Sequence, residues 1–192
     1  EAGPEGVTLA FARRQPTGSG TSAGSFSGSL GGFSAGMATA SNLSWTEVGS
    51  GDLSAALKSG SYLGSGLNAS GSTGVAGAVG RFIPHHFTVD VTPGCAPGFT
   101  YSGQAFAVRV TARNAAGGVT ANYDGSAFVT PSTHARPVAL SDASALGTGE
   151  FTAGAAVAAS AFRSGAANAS PTYAFANKLT APGTLVVRAT NT

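Results

Sequence analysis

Apolar and polar residues alternate with a period of two wherever a pattern can be read along the chain. Val7, Leu9 and Phe11 alternate with Thr8, Ala10 and Ala12, and Leu53, Ala55 and Leu57 repeat the pattern after Gly49-Ser50-Gly51. Met37, Thr39, Ser41, Leu43 and Trp45 share one face if that run is a single strand. The alternation restarts as Phe87, Val89, Val91; then Phe106, Val108, Val110; then Tyr173, Phe175; then Leu185, Val187. Successive side chains of a strand point to opposite faces, so this spacing predicts half-buried strands and argues against amphipathic helices. The later runs predict a core built from Phe87, Val89, Phe106, Val108, Tyr173, Phe175, Leu185 and Val187. Between them sit Pro93-Gly94, Ala116-Gly117-Gly118, Asp124-Gly125 and Pro182-Gly183, turn chemistry at intervals that suit a β-sandwich.

These elements predict an all-β chain of tandem immunoglobulin-like β-sandwich modules. From Asn68 to Gly80 there is no charge and no large side chain beyond two valines, the composition of a flexible connector. The reading is an N-terminal unit over 1–74, a Gly/Ala/Ser-rich linker over 75–80 and a C-terminal unit over 81–192. With four or five readable strands, the first unit falls short of a complete sandwich and would expose an unpaired edge, which a strand from another chain can complete. Its Gly/Ser-rich segment 17–36 fits either a long loop or a Gly-rich strand that lets sheets approach closely. The alanine-rich run Ala153–Ala161 has helix propensity inside a β pattern, and fits a bulged strand or a short helical turn.

Ala, Gly, Ser and Thr supply 109 of the 192 residues, while charged residues make up only 9%. Such a chain lacks the Lys/Glu-rich surface usual for cytosolic enzymes and resembles secreted and surface proteins in composition. Hydrophobic residues at 42% exclude full disorder. No stretch reaches the roughly 20 apolar residues of a membrane span. The opening Glu1-Ala2-Gly3-Pro4 shows no signal peptide, so the chain reads as a mature or excised piece. Net charge is +2, but Arg109, Arg113, Arg136, Arg163 and Arg188 stand singly, which argues against nucleic-acid binding.

Candidate chemistry is sparse. Gly20-Thr-Ser22-Ala-Gly24 and Gly32-Phe-Ser34-Ala-Gly36 match the nucleophile-elbow pattern, but a chain this rich in Gly and Ser generates such matches by chance and lacks the alternating strand and helix an elbow requires. His85 and His86, followed by Asp90, are expected on opposite faces of a strand, where both cannot ligate one ion. His134 has no acid in its segment, and the eight acids are scattered. No catalytic residue, metal site or cofactor is therefore expected. Cys95 is the one cysteine, so it has no internal disulfide partner. Trp45, Tyr62 and Tyr123 are candidate glycan-stacking residues, with burial in a strand core as the competing role; Tyr101 and Tyr173 share that ambiguity. Val7, Leu9 and Phe11 form a candidate inter-subunit strand, flanked by the Gly-rich start and by Arg13-Arg14. Loop closure depends weakly on length, so this strand can pair within its own chain or complete a neighbour's sheet.

Longer phrases add a further signal. Asn42-Leu-Ser-Trp-Thr-Glu-Val-Gly49, Ser61-Tyr-Leu-Gly-Ser-Gly-Leu67, Val79-Gly-Arg-Phe-Ile-Pro-His-His-Phe87, Cys95, Phe99-Thr-Tyr-Ser-Gly-Gln104, Thr111-Ala-Arg-Asn-Ala-Ala-Gly-Gly118 and Asn122-Tyr-Asp-Gly125 occur in this order. Together they resemble the MshQ-like family, large bacterial surface proteins associated with the biogenesis of mannose-sensitive haemagglutinin type IV pili. The family usually shows Asp-His-Phe where this chain has His85-His86-Phe87. The resemblance implies an exported, non-enzymatic, adhesin-like or fibre-associated protein at the bacterial cell surface. Its implied partners are copies of itself or other pilus or fibre subunits, and the alternative is a carbohydrate-binding adhesin domain whose partners are surface glycans.

Overall fold

Alternation becomes strand over most of the patterned positions in the computed structural model, which describes residues 5–74, 76–144, 149–177, 179 and 181–192. The first seven strands are β1 (Val7–Gln15), β2 (Thr17–Gly18), β3 (Phe26–Ser27), β4 (Ser44–Trp45), β5 (Gly49–Leu57), β6 (Ser70–Ser72) and β7 (Val79–Phe82). Nine more follow: β8 (His86–Thr92), β9 (Ala107–Arg113), β10 (Val129–Thr130), β11 (Val138–Asp142), β12 (Gly149–Ala153), β13 (Ala156–Val157), β14 (Ala166–Ala169), β15 (Thr172–Phe175) and β16 (Val187–Asn191). The chain is all-β, with short 3-10 turns at Tyr62–Gly64, Ser132–His134 and Ala159–Ala161 as the only helical elements among the described residues.

The N-terminal sheet is built on β5. β1 runs antiparallel to it with Val7 opposite Leu57, Leu9 opposite Ala55 and Phe11 opposite Leu53, while β6 and β7 pair with the other side of β5. One face gathers aromatic rings: Phe11 stacks on Phe26 at 5.6 Å and lies 4.9 Å from Trp45 and 6.0 Å from Phe82. Gly51 leaves room for this cluster, because a Cβ there would overlap the Phe11 ring. The opposite face carries Thr8, Ala10, Ser54, Ala56, Ser70 and Ser72, which leave a shallow depression of about 500 Å³.

In the C-terminal part, β9 is the centre of a β14-β9-β8 sheet and β11 the centre of a β13-β11-β16 sheet, with β12 and β15 paired separately. The core lies between these layers. Val108, Val110 and Ala112 of β9 meet Val138 and Leu140 of β11, Val157 of β13, Ala167 of β14 and Tyr173 of β15, closed by Phe106, Tyr123 and Phe162. All eight core residues expected from period-two spacing belong to this cluster: Phe106, Val108 and Tyr173 are buried, and Phe87, Val89, Phe175, Leu185 and Val187 pack against it half-buried.

Two local expectations are corrected, and two that were open between alternatives turn out to combine them. The run Met37 to Trp45 is not one strand: only Ser44–Trp45 is, and Met37 is exposed, because Ser34 and Met37 close a tight turn by exchanging backbone hydrogen bonds of 2.8 and 3.0 Å. Within the expected linker 75–80, Val79 and Gly80 belong to β7, whose Val79 is registered with Gly51 of β5; Val75 lies outside the described residues. Segment 17–36 mixes both expectations, as loop broken by β2 and β3. Ala153–Ala161 likewise combines the short strand β13 with the 3-10 turn Ala159–Ala161.

Strands and loops also join the two expected units directly. β2 pairs antiparallel with β10, and Val48, next to the start of β5, is buried in the C-terminal core.

Candidate functional site

The densest buried polar cluster forms where the N-terminal part meets the loop 120–126. Glu47 lies between Trp45 and Gly49, in a stretch drawn inward by Trp45 and Val48, so its carboxylate is carried into the interior. There Oε1 accepts from the Ala121 amide at 3.2 Å, and Oε2 from the Asn122 amide at 3.0 Å and the Val48 amide at 3.4 Å. Asn122 is fully buried and behaves as a replacement peptide group: Oδ1 accepts from the Ser22 amide at 2.8 Å and Nδ2 donates to the Ser22 carbonyl at 2.9 Å. Asn114 uses Oδ1 to order its own loop through Ala116 and Gly118, and reaches across with Nδ2 to the Thr46 carbonyl at 3.0 Å.

Tyr123 and Asp124 continue the cluster. The Tyr123 hydroxyl donates to the Arg136 carbonyl and accepts from the Arg136 amide, both at 3.0 Å, and burial pushes its pKa up despite the Arg136 contacts. Asp124 accepts from the Ser126 amide at 2.7 Å and the Ser164 amide at 2.8 Å. Burial alone would raise its pKa, but those hydrogen bonds and the nearby Arg163 charge outweigh it and hold the carboxyl below the usual range. Gly125 is required next, because a Cβ there would overlap the Ala159 carbonyl. Each of these polar groups is engaged with backbone, which satisfies buried amides and fixes loops that carry no regular ladder.

A second pair lies elsewhere in the C-terminal part. The Tyr173 hydroxyl donates to Asp142 Oδ2 at 2.6 Å, and the Ser144 amide donates to Oδ1 at 2.7 Å. Burial first, then the hydrogen bond and charge of Asp142, push the Tyr173 pKa up to about 12. The Asp142 carboxyl is lowered, since its hydrogen bonds from Ser144 and Tyr173 outweigh burial. Beyond Tyr173 opens a groove of about 1020 Å³, lined by Val91, Phe99, Tyr101, Phe175 and Leu185. Phe99 and Tyr101 meet edge to face at 5.1 Å on its rim, and Tyr101 is 65% exposed.

The three candidate glycan-stacking residues do not converge. Trp45 is 7% exposed, ringed by Phe11 and Phe82, with its indole N–H donated to the Ala23 carbonyl at 2.9 Å, and Tyr123 is buried, so neither ring offers a face to a sugar. Tyr62 alone is open, at 55% exposure on the 3-10 turn Tyr62–Gly64. Val7, Leu9 and Phe11 lie on β1, paired inside the chain to β5. Ser22 and Ser34 sit in loops and not at strand-to-helix turns. His85 and His86 do not point apart as expected. Their Nδ1 atoms lie 3.1 Å apart, because His85 precedes β8 and escapes strand alternation. Asp90 follows four residues on within β8, and no group of three or more His, Cys, Asp or Glu able to hold a metal occurs among the described residues. His134 closes the turn Ser132–His134, where burial and then the Arg81 charge lower its pKa. Cys95 is a half-buried free thiol in a tight loop, with Sγ 3.2 Å from Gln104 Nε2. No helix among the described residues is long and apolar enough to cross a membrane.

Sequence reasoning missed the roles of Glu47, Asn114, Asn122 and Asp124. The usable signal was an acid embedded between Trp45 and Val48, in a chain with only eight acids, together with a complete Asn-Tyr-Asp-Gly turn phrase.

Fold and site together define an all-β module whose buried polar side chains hold its own backbone. Residues 47–189, most of the chain, match the family model described as DUF6701, third domain, and the chain belongs to that family. The match begins at the buried Glu47 and takes in Asn114, Asn122, Tyr123 and Asp124. No curated protein and no solved structure matches the chain.

Proposed function

We propose that this chain is a non-catalytic structural module of a bacterial extracellular protein, an immunoglobulin-like β-sandwich segment that builds or displays a pilus- or fibre-associated, adhesin-like surface assembly. The observation that carries the reading is the use made of buried polar groups: Glu47, Asn122, Tyr123 and Asp124 each bind backbone and tie distant loops together. A catalytic carboxylate or tyrosine needs a free lobe aimed at a substrate, whereas these are engaged in holding shape. The charge-poor, Ser/Thr-rich composition and the resemblance to MshQ-like surface proteins support the extracellular setting. Immunogold labelling of intact bacteria tests it. Label on the cell surface or on fibres is expected, and label that appears only after permeabilisation overturns the reading.

A second reading, a carbohydrate-binding adhesin domain, draws on the groove rim, where Tyr101 and Phe99 stand exposed beside uncharged lining residues. On a glycan array, binding that is lost in Tyr101→Ala favours this reading, and silence across the array removes it.

A further inference from the structure

β1 is a nine-residue edge strand with one side engaged and the other open. Lys58 donates its amide to the Gly6 carbonyl, while Leu57 donates to Ala69 and Leu53 accepts from Thr73 on the far side of β5. Together with the register of Thr8 opposite Ala56 and Ala10 opposite Ser54, this directs the backbone groups of Gly6, Thr8, Ala10 and Ala12 toward β5. The N–H and C=O groups of Val7, Leu9 and Phe11 therefore face outward, and they have no partner among the described residues. Natural edge strands are usually kept from pairing by short length, charge, proline or a bulge. From Gly6 to Ala12 this one has no charge and no proline, and its irregularity is displaced to the far end, between Arg13 and Gln15.

We infer that β1 pairs edge to edge with β1 of a second copy of this chain, antiparallel about a two-fold axis through Leu9. Outward-facing residues must meet outward-facing residues, so only registers that set odd positions against odd positions form a ladder. The Leu9-centred register places Val7 opposite Phe11 and Leu9 opposite itself on one face. Thr8 then stands opposite Ala10 and Gly6 opposite Ala12 on the other, where small residues let the sheets continue without a clash. At both ends it sets Glu5 opposite Arg13, an opposite-charge cross-strand pair formed twice by the symmetry. Arg13 donates one guanidinium N–H to the Ser22 carbonyl and keeps further donors, while the Glu5 carboxylate opposite it uses Oε1 to accept from the Ser59 hydroxyl and the Leu63 amide of its own chain and leaves Oε2 without a partner. This deepens the surface-module reading by naming a second copy as partner, and it replaces strand exchange with strand addition, since β1 keeps its whole ladder to β5.

Cysteine pairing in the full chain tests the register, with Cys95→Ser throughout. Thr8 and Ala10 are exposed, and in the inferred dimer they form a pair without mutual backbone hydrogen bonds, with Cα atoms about 4.5 Å apart, within disulfide reach. When Thr8→Cys and Ala10→Cys chains carrying different tags are mixed under mild oxidation, the mixed disulfide is expected in preference to either like pair. Disulfides within Ala10→Cys alone, or no crosslink above that of a surface cysteine elsewhere, overturn the inference. Sedimentation gives a second reading. Arg13→Glu is expected to weaken self-association by about tenfold, from two cross-strand pairs turned repulsive, and adding Glu5→Arg to restore it. A wild-type chain that remains monomeric up to about 1 mM overturns the dimer while leaving the surface-module reading standing.

Discussion

Asn122 replaces a peptide group opposite Ser22, accepting from its amide and donating to its carbonyl. Asn122→Ala strands both Ser22 groups in a buried setting, so the expected loss is about 2–4 kcal/mol, read as a lower denaturation midpoint at unchanged slope. Asp124 gives a pH signature. Its folded pKa lies below the ordinary 3.8, so as pH falls the unfolded chain takes up the proton first. The stabilisation is therefore complete above about pH 4 and is lost as pH drops through the folded value, and Asp142 acts in the same direction. Tyr173 works at the other end: with its pKa raised from 10.0 to about 12, its contribution is whole below pH 10 and fades as pH rises toward 12. Denaturation midpoints measured across pH should fall at both limits, with a flatter acid limb in Asp124→Asn and a flatter alkaline limb in Tyr173→Phe.

At the scale of elements, β9 is the strand on which the C-terminal core depends. Val108 is 1% exposed, between β8 and β14 and facing β11. An unpaired carboxylate there costs several kcal/mol, comparable to the whole stability of a domain, so Val108→Asp should lose the cooperative transition and the β circular-dichroism signal. A folded, cooperative variant would place this strand's face outward. β1, β5, β8, β9 and β15 were legible because their apolar side chains recur at every second residue, the spacing that sets them on one side of a strand. The two-residue strands β2, β3, β4, β10 and β13 could not be placed individually, since two residues carry no period. β7 was hidden by its composition: Gly80 sits at φ 84°, where its Cβ-free backbone lets the Phe82 ring lie close, and the Gly/Ala-rich stretch around it reads as a connector.

Across the whole molecule, composition suggested a joint near residue 75, yet ties run between the parts on either side of it. Thr46, Glu47 and Val48 join 114–122, Ser22 joins Asn122, and β2 joins β10. Such contacts between residues about 70 to 110 positions apart in sequence leave no local pattern, which is why the polar cluster was invisible while the strands around it were not. These ties should make the chain unfold as one body. Glu47→Ala, which removes the acceptor of the Ala121 and Asn122 amides, should lower stability by about 2–4 kcal/mol and begin to separate the two parts. The single tryptophan makes the decisive measurement available, because Trp45 reports the N-terminal aromatic cluster while far-ultraviolet circular dichroism reports strands throughout. In a urea titration of the intact chain the two signals should change together, with one midpoint and one slope. Trp45 fluorescence that shifts at clearly lower urea than the circular dichroism would mean that the N-terminal part unfolds separately, and that the ties do not couple the two parts.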